Sequence, residues 1–597
     1  MRAPTRTAGR WGTLALCIAT SGLCAIGVRA QDSDTLLRAM QDELKRSEKL
    51  RIEGLDAPYF IEYRVEQTKS FGVAASLGAL ISSGESSVRT PMVRVRVGDY
   101  NFDNSNHIYS DGYTGARYDL DRLPLDNDYL AFRDVFWLAT DRTYKTAEDA
   151  IARKRSSLKN VNLPEPLADF SKAAPVQAVL PVAKSPVATG QWKDRIVKLS
   201  EIFAGFPKVL SSGVELHVSQ STNYLVNTEG TVERTPEDLA YVRIEARGLA
   251  ADGTAVRDAE AVQAFDAGKL PSDAELRRRV TEVAEHVSAL AEAPAGEAYD
   301  GPMLFEAGAA AQLFAQVLGD NLKLTRKPIV DAGRTAPYLP SELENRLEAR
   351  VLPQWMDVVD DPTQTEWRGH TLLGHYPYDM EGVAPQPLTL VDKGLLKSFL
   401  FTRTPVIKGF AASNGRARMT GGYGARAAGF GNLFIRASET KPAAELKKAL
   451  IDMCEQRKKP YGILIRKLDF PSSASIDEFR RIAAGMTQSG GNTRPVVLPL
   501  LVYKVYPDGK EELVRSVRFR GLSTRTLRDI VAASSESSVF DFVDNNAPFA
   551  LMGAGSYVVS ASVIAPAILF DELELEPVQE EVSKPPIVPA PALTTGL

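Results

Sequence analysis

Gly301-Pro-Met-Leu-Phe-Glu-Ala-Gly-Ala-Ala-Ala-Gln-Leu-Phe-Ala-Gln-Val-Leu-Gly-Asp320 is the stretch on which the fold turns. Ala310, Leu313, Phe314, Val317 and Leu318 recur at i, i+3, i+4, i+7 and i+8, the stripe that a helix buries against a core. The spacing predicts one helix entered from the apolar Gly301–Phe305 run. Its other face carries Ala315, Gln316, Gly319 and Asp320, and the chemistry of those positions decides whether the chain is an enzyme.

Upstream, Ser272–Ala293 has the strongest helical pattern of the first half. Ser272 with Glu275 three residues on makes a capping box, and Leu276, Val280, Val283 and Val287 form the buried stripe. Asp34–Glu53 and the segments Leu130–Phe136 and Asp141–Leu158 also read as helices. Tyr59–Val65, Met92–Val97, Val214–Val218, Thr222–Asn227 and Ala240–Ala246 alternate apolar and polar residues as half-buried strands do. Ser70–Ser87, rich in Gly, Ala and Ser, fits either strand or loop. Ala173–Thr189 reads as a Pro/Ala-rich connector.

Downstream, strands are expected at Leu388–Val391, Leu395–Leu400, Asn432–Arg436 and Gly462–Leu468, with a helix over Lys441–Lys458. Ser472–Arg494 reads as an insertion. Val497–Tyr506 and Glu512–Phe519 flank the hairpin signal Pro507-Asp508-Gly509-Lys510. The pattern implies an α/β chain of α+β type, with two domains of mixed, largely antiparallel sheets and packed helices. The expected divisions are a signal peptide over 1–30, a first domain over 31–295 with the connector near 173–189, a second domain over 296–574, and a Pro-rich disordered tail over 575–597.

At 597 residues with 44% apolar and 24% charged composition, the chain has enough apolar sequence for several cores. Arg2, Arg6 and Arg10 precede the apolar Leu14–Val28 run, and Val28-Arg29-Ala30 offers a cleavage point, which predicts export to the periplasm or beyond. A retained anchor is the alternative. No later run is apolar enough to suggest a membrane span. Without residues 1–30 the chain keeps 67 basic and 75 acidic residues, a net charge of −8, and no basic patch that would suggest a nucleic-acid partner. Cys17 and Cys24 leave with that segment, so Cys454 alone remains, too few for an internal disulfide or a four-cysteine zinc site.

The five histidines, His107, His217, His286, His370 and His375, include no H-E-x-x-H helix. His370 and His375 are the only close pair. No G-x-S-x-G elbow is present, and Ser534–Ser538 reads as a polar helix end or loop. Tyr378-Asp379-Met380-Glu381-Gly382 places two carboxylates at i and i+2, able either to share a face or to form a turn. Ser413-Asn-Gly-Arg-Ala-Arg-Met-Thr-Gly-Gly-Tyr-Gly424 is a glycine-rich loop whose arginines suit a carboxylate or a peptide.

Taken together, Gly301-Pro-Met-Leu-Phe with its Ala-rich helix, Tyr378–Gly382, Ser413–Arg418 and Gly431-Asn-Leu-Phe-Ile resemble the TldD/PmbA family of metallopeptidase-related proteins. The resemblance is close over 301–574 and looser before it. It implies a catalytic subunit and a related non-catalytic one, paired around a peptide-binding cavity. Catalytic subunits of that family carry H-E-x-x-x-H on the helix after the Gly-Pro strand and a later cysteine. Here those helix positions hold Ala315, Gln316 and Asp320, and Gly553–Asp571 contains no cysteine. Alanine cannot bind zinc and glutamine cannot act as general base.

The resulting expectation is a non-catalytic exported subunit without a cofactor, partnered by a catalytic paralogue or by itself. Asp379, Glu381, Asn414, Gly415 and Arg416 are its candidate peptide-groove residues. Two alternatives stay open: a metallopeptidase whose metal site has moved to His370 or His375 with Asp379 and Glu381, and a peptide-binding scaffold.

Overall fold

The computed structural model describes residues 34–108, 123–159, 167–182, 186–331, 333, 338, 340–420, 425–470, 498–545 and 558–578. The expected signal peptide, the 472–494 insertion and the tail beyond 578 lie outside the described residues. No helix among those described is long and apolar enough to cross a membrane.

Two large sheets organise the chain. The first has six strands: β1 (Pro58–Ser76), β2 (Ala79–Val97), β3 (Gln177–Val179), β4 (Val209–Asn227), β5 (Val232–Leu249) and β6 (Ala255–Ala264). Their order is β2-β1-β4-β5-β3, with β6 also on β5 and only the β3–β5 pair parallel. β1 and β2 form one long hairpin through Leu77 and Gly78, whose φ angles of 50° and 79° match a two-residue turn with both central residues left-handed. The Ser70–Ser87 stretch is therefore strand rather than loop.

Ile61, Tyr63, Val65, Val93 and Val95 share one core with two helices, α1 (Thr35–Ser47) and α2 (Tyr129–Leu158). The two helical segments expected at 130–158 are this single helix, capped by Asp128, whose side chain accepts from the Ala131 amide at 2.9 Å. At the far end of the sheet, Phe71, Val73 and Ala75 pack with α3 (Thr189–Glu201) and α4 (Asp273–Glu292). Ser272 caps α4 at the residue the sequence singles out. The strands expected at 214–218 and 222–227 are one continuous β4, and the connector contributes β3.

The second sheet has eleven strands, in the order β10 (Leu395–Leu396), β9 (Leu388–Asp392), β8 (Met356–Asp360), β11 (Asn432–Ala437), β17 (Val558–Pro577), β7 (Tyr299–Phe305), β12 (Gly462–Asp469), β13 (Leu498–Val505) and β14 (Glu511–Val514). β15 (Val517–Arg520) and β16 (Ile530–Asn545) also pair with β17. The strand expected over Glu512–Phe519 is split at Ser516, whose φ of 57° turns the chain from β14 to β15. Ser534–Ser538 belongs to β16, and Leu575–Pro577, expected in the tail, is still β17.

The opening stretch is β7 followed by a short helix, α5 (Ala307–Leu313), which widens into a π-helical turn over Phe314–Gly319 before a last turn at Asp320–Leu322. It is not the single regular helix its periodicity predicts. The expected stripe is nevertheless all in the core, and Ala315 and Gly319 are buried with it. Glycine is required at 319, because a Cβ there would lie 2.6 Å from Cε1 of Phe430. A further helix, α6 (Ala443–Gln456), buries Leu446, Leu450 and Cys454 against Leu304, Leu464 and Leu569 of the same sheet.

Phe305 at the end of β7 is fully buried, with Phe519 and Phe570 rings 5.8 and 5.5 Å away. Phe305→Ala is expected to lower the stability of the full chain by about 3–5 kcal/mol through lost burial and an incompletely collapsed cavity, read by chemical denaturation.

Candidate functional site

The face of the α5 segment that decides the chemistry ends on Asp320. Lys323 stands one turn later and reaches it at 2.8 Å, while its Nζ lies 2.6 Å from Asp544 of β16. The same ammonium is 5.3 Å from the Phe430 ring. Burial alone would lower the Lys323 pKa, but the two carboxylates outweigh it and hold the group well above the ordinary lysine range. A permanent cation therefore stands between the two acids nearest the segment's end. Ala315 offers no ligand atom, and Gln316 places its amide nitrogen in a buried position without a hydrogen-bond partner. These residues do not fit a zinc ion: the donor set lacks imidazole and thiolate, and Lys323 supplies the charge a metal would bring.

The histidines are dispersed. His107 faces Asp331, His286 faces Asp258, and His217 packs at a tilt against the Tyr241 ring. His370 meets Asp541 at 2.6 Å, while His375 uses Nδ1 on the Pro362 carbonyl at 2.8 Å. Among the described residues no group of three or more His, Cys, Asp or Glu is placed to hold a metal. The relocated site considered from sequence is thus corrected: His370 and His375 point to different partners, and Asp379 and Glu381 are engaged elsewhere.

One array escaped the sequence reading. Ser562 of β17 donates to Asp541 Oδ1 at 2.5 Å, and His370 occupies the other oxygen of that carboxylate. The resemblance to a hydrolytic triad is superficial, because the carboxylate sits between the serine and the imidazole. Activation of a serine requires the imidazole on Oγ itself. Ser562 Oγ accepts the Leu373 amide at 2.9 Å, so it ties a loop to the sheet.

Asp379, Glu381, Asn414, Gly415 and Arg416 come together at the junction of the two halves. Asp379–Val383 is a turn: Asp379 Oδ1 accepts the Glu381 and Val383 amides, and Oδ2 accepts the Ala417 amide, each at 2.9 Å. Glu381 accepts the Arg403 amide at 2.7 Å. Asn414 bonds the backbone of Phe399 and Phe401. Gly415, at φ 76°, leaves no room for a side chain beside Pro385, and its carbonyl accepts the Tyr376 hydroxyl. Arg416 pairs with buried Asp360 at 2.9 Å. Asp379, Glu381 and Arg416 are all deeply buried, so this set braces loops rather than presenting a charged surface.

Facing that turn is a charged side of the first sheet that sequence reasoning left to solvent. Phe60, Glu62 and Arg64 of β1 point opposite to the apolar Ile61, Tyr63 and Val65, and are buried. Arg64 donates to the Met380 carbonyl at 3.1 Å, and Arg426 to Glu62 at 3.1 Å. Arg403 reaches the Ser171 carbonyl and Glu229, with the Phe170 ring 4.1 Å away. Glu233 on β5 is buried here; Thr235 donates to one of its oxygens and the other has no hydrogen-bond partner. Burial, opposed by Arg64 and Thr235, pushes its pKa up to about 7. For Asp379, burial and the adjacent Glu381 raise the pKa, while its three amide donors pull the other way.

The chain is a two-sheet α+β protein in which Lys323, just after the Ala307–Leu322 helical segment, is held between Asp320 and Asp544. Residues 298–497 match the PmbA/TldA metallopeptidase C-terminal domain. A metalloprotease from Archaeoglobus fulgidus is 36% identical over 77 residues, a match spanning 13% of this chain and 17% of that protein. A crystallised candidate modulator of DNA gyrase from Thermotoga maritima MSB8 has a TM-score of 0.55 at 15% identity, over 90% of this chain and 99% of that one. TldE from Thermococcus kodakarensis gives 0.52 at 14% identity, over 90% of this chain and 100% of its own. A candidate modulator of DNA gyrase from Bacteroides thetaiotaomicron VPI-5482 gives 0.51 at 10% identity, over 92% and 99%. Identities this low establish likeness of fold alone.

Two outcomes follow for the site. A carboxyl whose folded pKa is raised stabilises the fold below its unfolded pKa, and that contribution is lost as pH rises toward the folded value. Glu233→Gln should therefore raise Tm at pH 8 and lose that gain near pH 4, with a difference of up to about 3 kcal/mol between the two conditions, read by thermal melts across pH. Lys323→Met leaves Asp320 and Asp544 without the shared cation and should cost about 1–3 kcal/mol at pH 7, below the value for a fully buried pair because Asp320 is partly solvated.

Proposed function

We propose that the chain is a non-catalytic subunit of the TldD/PmbA type, exported to the periplasm or beyond, that pairs with a zinc-dependent paralogue in peptide or protein processing. The observation that carries this reading is the Lys323 ammonium held between Asp320 and Asp544 on the segment where the family's ligands are expected. A water-activating zinc needs neutral imidazole or anionic donors and a general base; this segment offers alanine, glutamine and an acid neutralised by lysine. The fold shared with TldE supports a place in the same architecture. In this reading the Asp379–Val383 turn and the Ser413–Arg416 loop build one wall of a peptide cavity. Asp379, Glu381, Asn414, Gly415 and Arg416 hold its backbone in place.

Purified full chain is expected to carry less than about 0.1 zinc per chain by elemental analysis, to keep its Tm after EDTA treatment, and to cleave no peptide alone. Mixed with a family member that retains H-E-x-x-x-H, it should co-elute as a complex that hydrolyses peptide. Stoichiometric zinc together with hydrolysis by the pure chain would overturn the reading.

A further inference from the structure

The tip of the Asp379–Val383 turn is seated on the first sheet. A Cβ built on Gly382, whose φ is 71°, would lie 3.1 Å from Thr231 Cγ2, 3.2 Å from Leu225 Cδ2 and 3.6 Å from Glu233 Oε2. Leu225 of β4 and Glu233 of β5 are paired across the sheet, so the turn presses on two strands at once. Glu233 is only 4% exposed. Its Oε1 receives the Thr235 hydroxyl at 3.1 Å, and Oε2, the oxygen facing the turn, has no hydrogen-bond partner. A carboxylate out of water needs a cation or several donors, whereas a neutral carboxylic acid tolerates fewer. The cation at hand is Arg64 of β1, but its guanidinium donates to the Met380 carbonyl and to Asn223. The other charged groups facing Glu233 are acids: Asp379 in the turn and Glu237 farther along β5, with Glu381 beside Asp379. Asp379 and Glu381 are themselves buried, so ionising Glu233 sets like charges together in a dry junction.

We propose that Glu233 is a proton-operated latch for this turn: as the acid it seats Gly382 on β4 and β5, and as the carboxylate it lifts the turn from the sheet. Linkage sets the direction. Glu233 is pushed up to about 7 while the turn is seated, and it returns toward the ordinary glutamate value of about 4.3 once water reaches it. Opening therefore releases a proton between those two values: it is disfavoured in acid, becomes easier by up to about ten-fold per pH unit across the window, and levels off above it. Asp379 keeps its three amide donors in either position, since all three belong to the second half of the chain, so Glu233 is the group whose surroundings change. Arg64 opposes release, because it holds the Met380 carbonyl and its charge favours the carboxylate. The latch concerns how the two halves meet and stands whether or not the chain pairs with a catalytic paralogue.

Thiol labelling of full-length Thr231→Cys tests the latch. Thr231 is 3% exposed beneath Gly382, and cysteine nearly matches threonine in shape, so a thiol reagent reaches position 231 only when the turn lifts. Dividing the labelling rate of the unfolded chain in urea by that of the folded chain at each pH cancels the titration of the thiol itself. This protection should fall at least about ten-fold from pH 5 to pH 7.5 and then level off. Buried Cys454 in the same chain reports global unfolding and should label at least about ten-fold more slowly than position 231 at pH 7.5. Adding Glu233→Gln, which keeps the shape and removes the charge, should shrink the fall to less than about three-fold. Adding Thr235→Val instead removes the one donor to Glu233, so the fall should continue past the pH at which Thr231→Cys alone levels off. Protection that does not change with pH, a fall that Glu233→Gln leaves intact, labelling at position 231 no faster than at Cys454, or a Thr235→Val chain that levels off at the unaltered pH would each overturn the proposal.

Discussion

Everything in this molecule depends on the burial of a charged sheet face. β1 alternates Phe60, Glu62 and Arg64 against Ile61, Tyr63 and Val65, and β2 answers with Arg96, Arg94 and Met92 against Val95 and Val93. One side closes over α1 and α2 as an ordinary apolar core. The other side carries acids and arginines out of water, which is tolerable only when each is paired or hydrogen-bonded. Some partners lie in the first half, Asn223 for Arg64 and Asp103 for Arg96, and others come from the second: the Met380 carbonyl for Arg64 and Arg426 for Glu62. The junction is therefore polar and directional, and it fixes the position of the Asp379–Val383 turn more narrowly than apolar contact would.

That junction also explains what could and could not be read from sequence. A capped amphipathic helix such as Ser272–Glu292 is specified locally, by a hydroxyl, an acid three residues on and a periodic stripe, and it was legible to the residue. Alternation over Tyr59–Val65 gave a strand with one buried face. It could not reveal that the polar face is covered as well, because a charged residue awaiting solvent and one awaiting a distant arginine look alike in sequence. The same limit applied at Asp379 and Glu381. Their spacing permitted a shared face or a turn, and amide donors from Glu381, Val383 and Ala417 select the turn.

Where packing overrides periodicity, sequence reading failed for identifiable reasons. The 3.6-residue repeat from Ala310 to Leu318 is genuine, yet the backbone widens into a π turn over Phe314–Gly319 where Gly319 lies against the Phe430 ring. Ser534–Ser538 is polar enough to suggest a loop, yet it lies within β16: Ser537 and Ser538 pair with Pro566 and Ala565 of β17, and residues 534–536 bulge from the ladder. Strand pairing tolerates serine when the partner strand is already anchored, as β17 is by its pairing with β7, β11, β15 and β16.

The same need for pairing applies at the end of the Ala307–Leu322 helical segment. The face that carries Ala315, Gly319 and Asp320 is largely core, and the acid at its end must be neutralised. Ala315 joins the apolar core directly. Asp320 does not, and an unpaired carboxylate beside Asp544 would be repelled by it. Lys323 answers both acids from the same turn of chain, with its stem beside Phe430 and its charge fixed at any ordinary pH. The ammonium thus does the electrostatic part of a metal's task while offering none of the coordination needed to polarise water. A structural requirement is met at this position by an ion pair rather than by apolar packing.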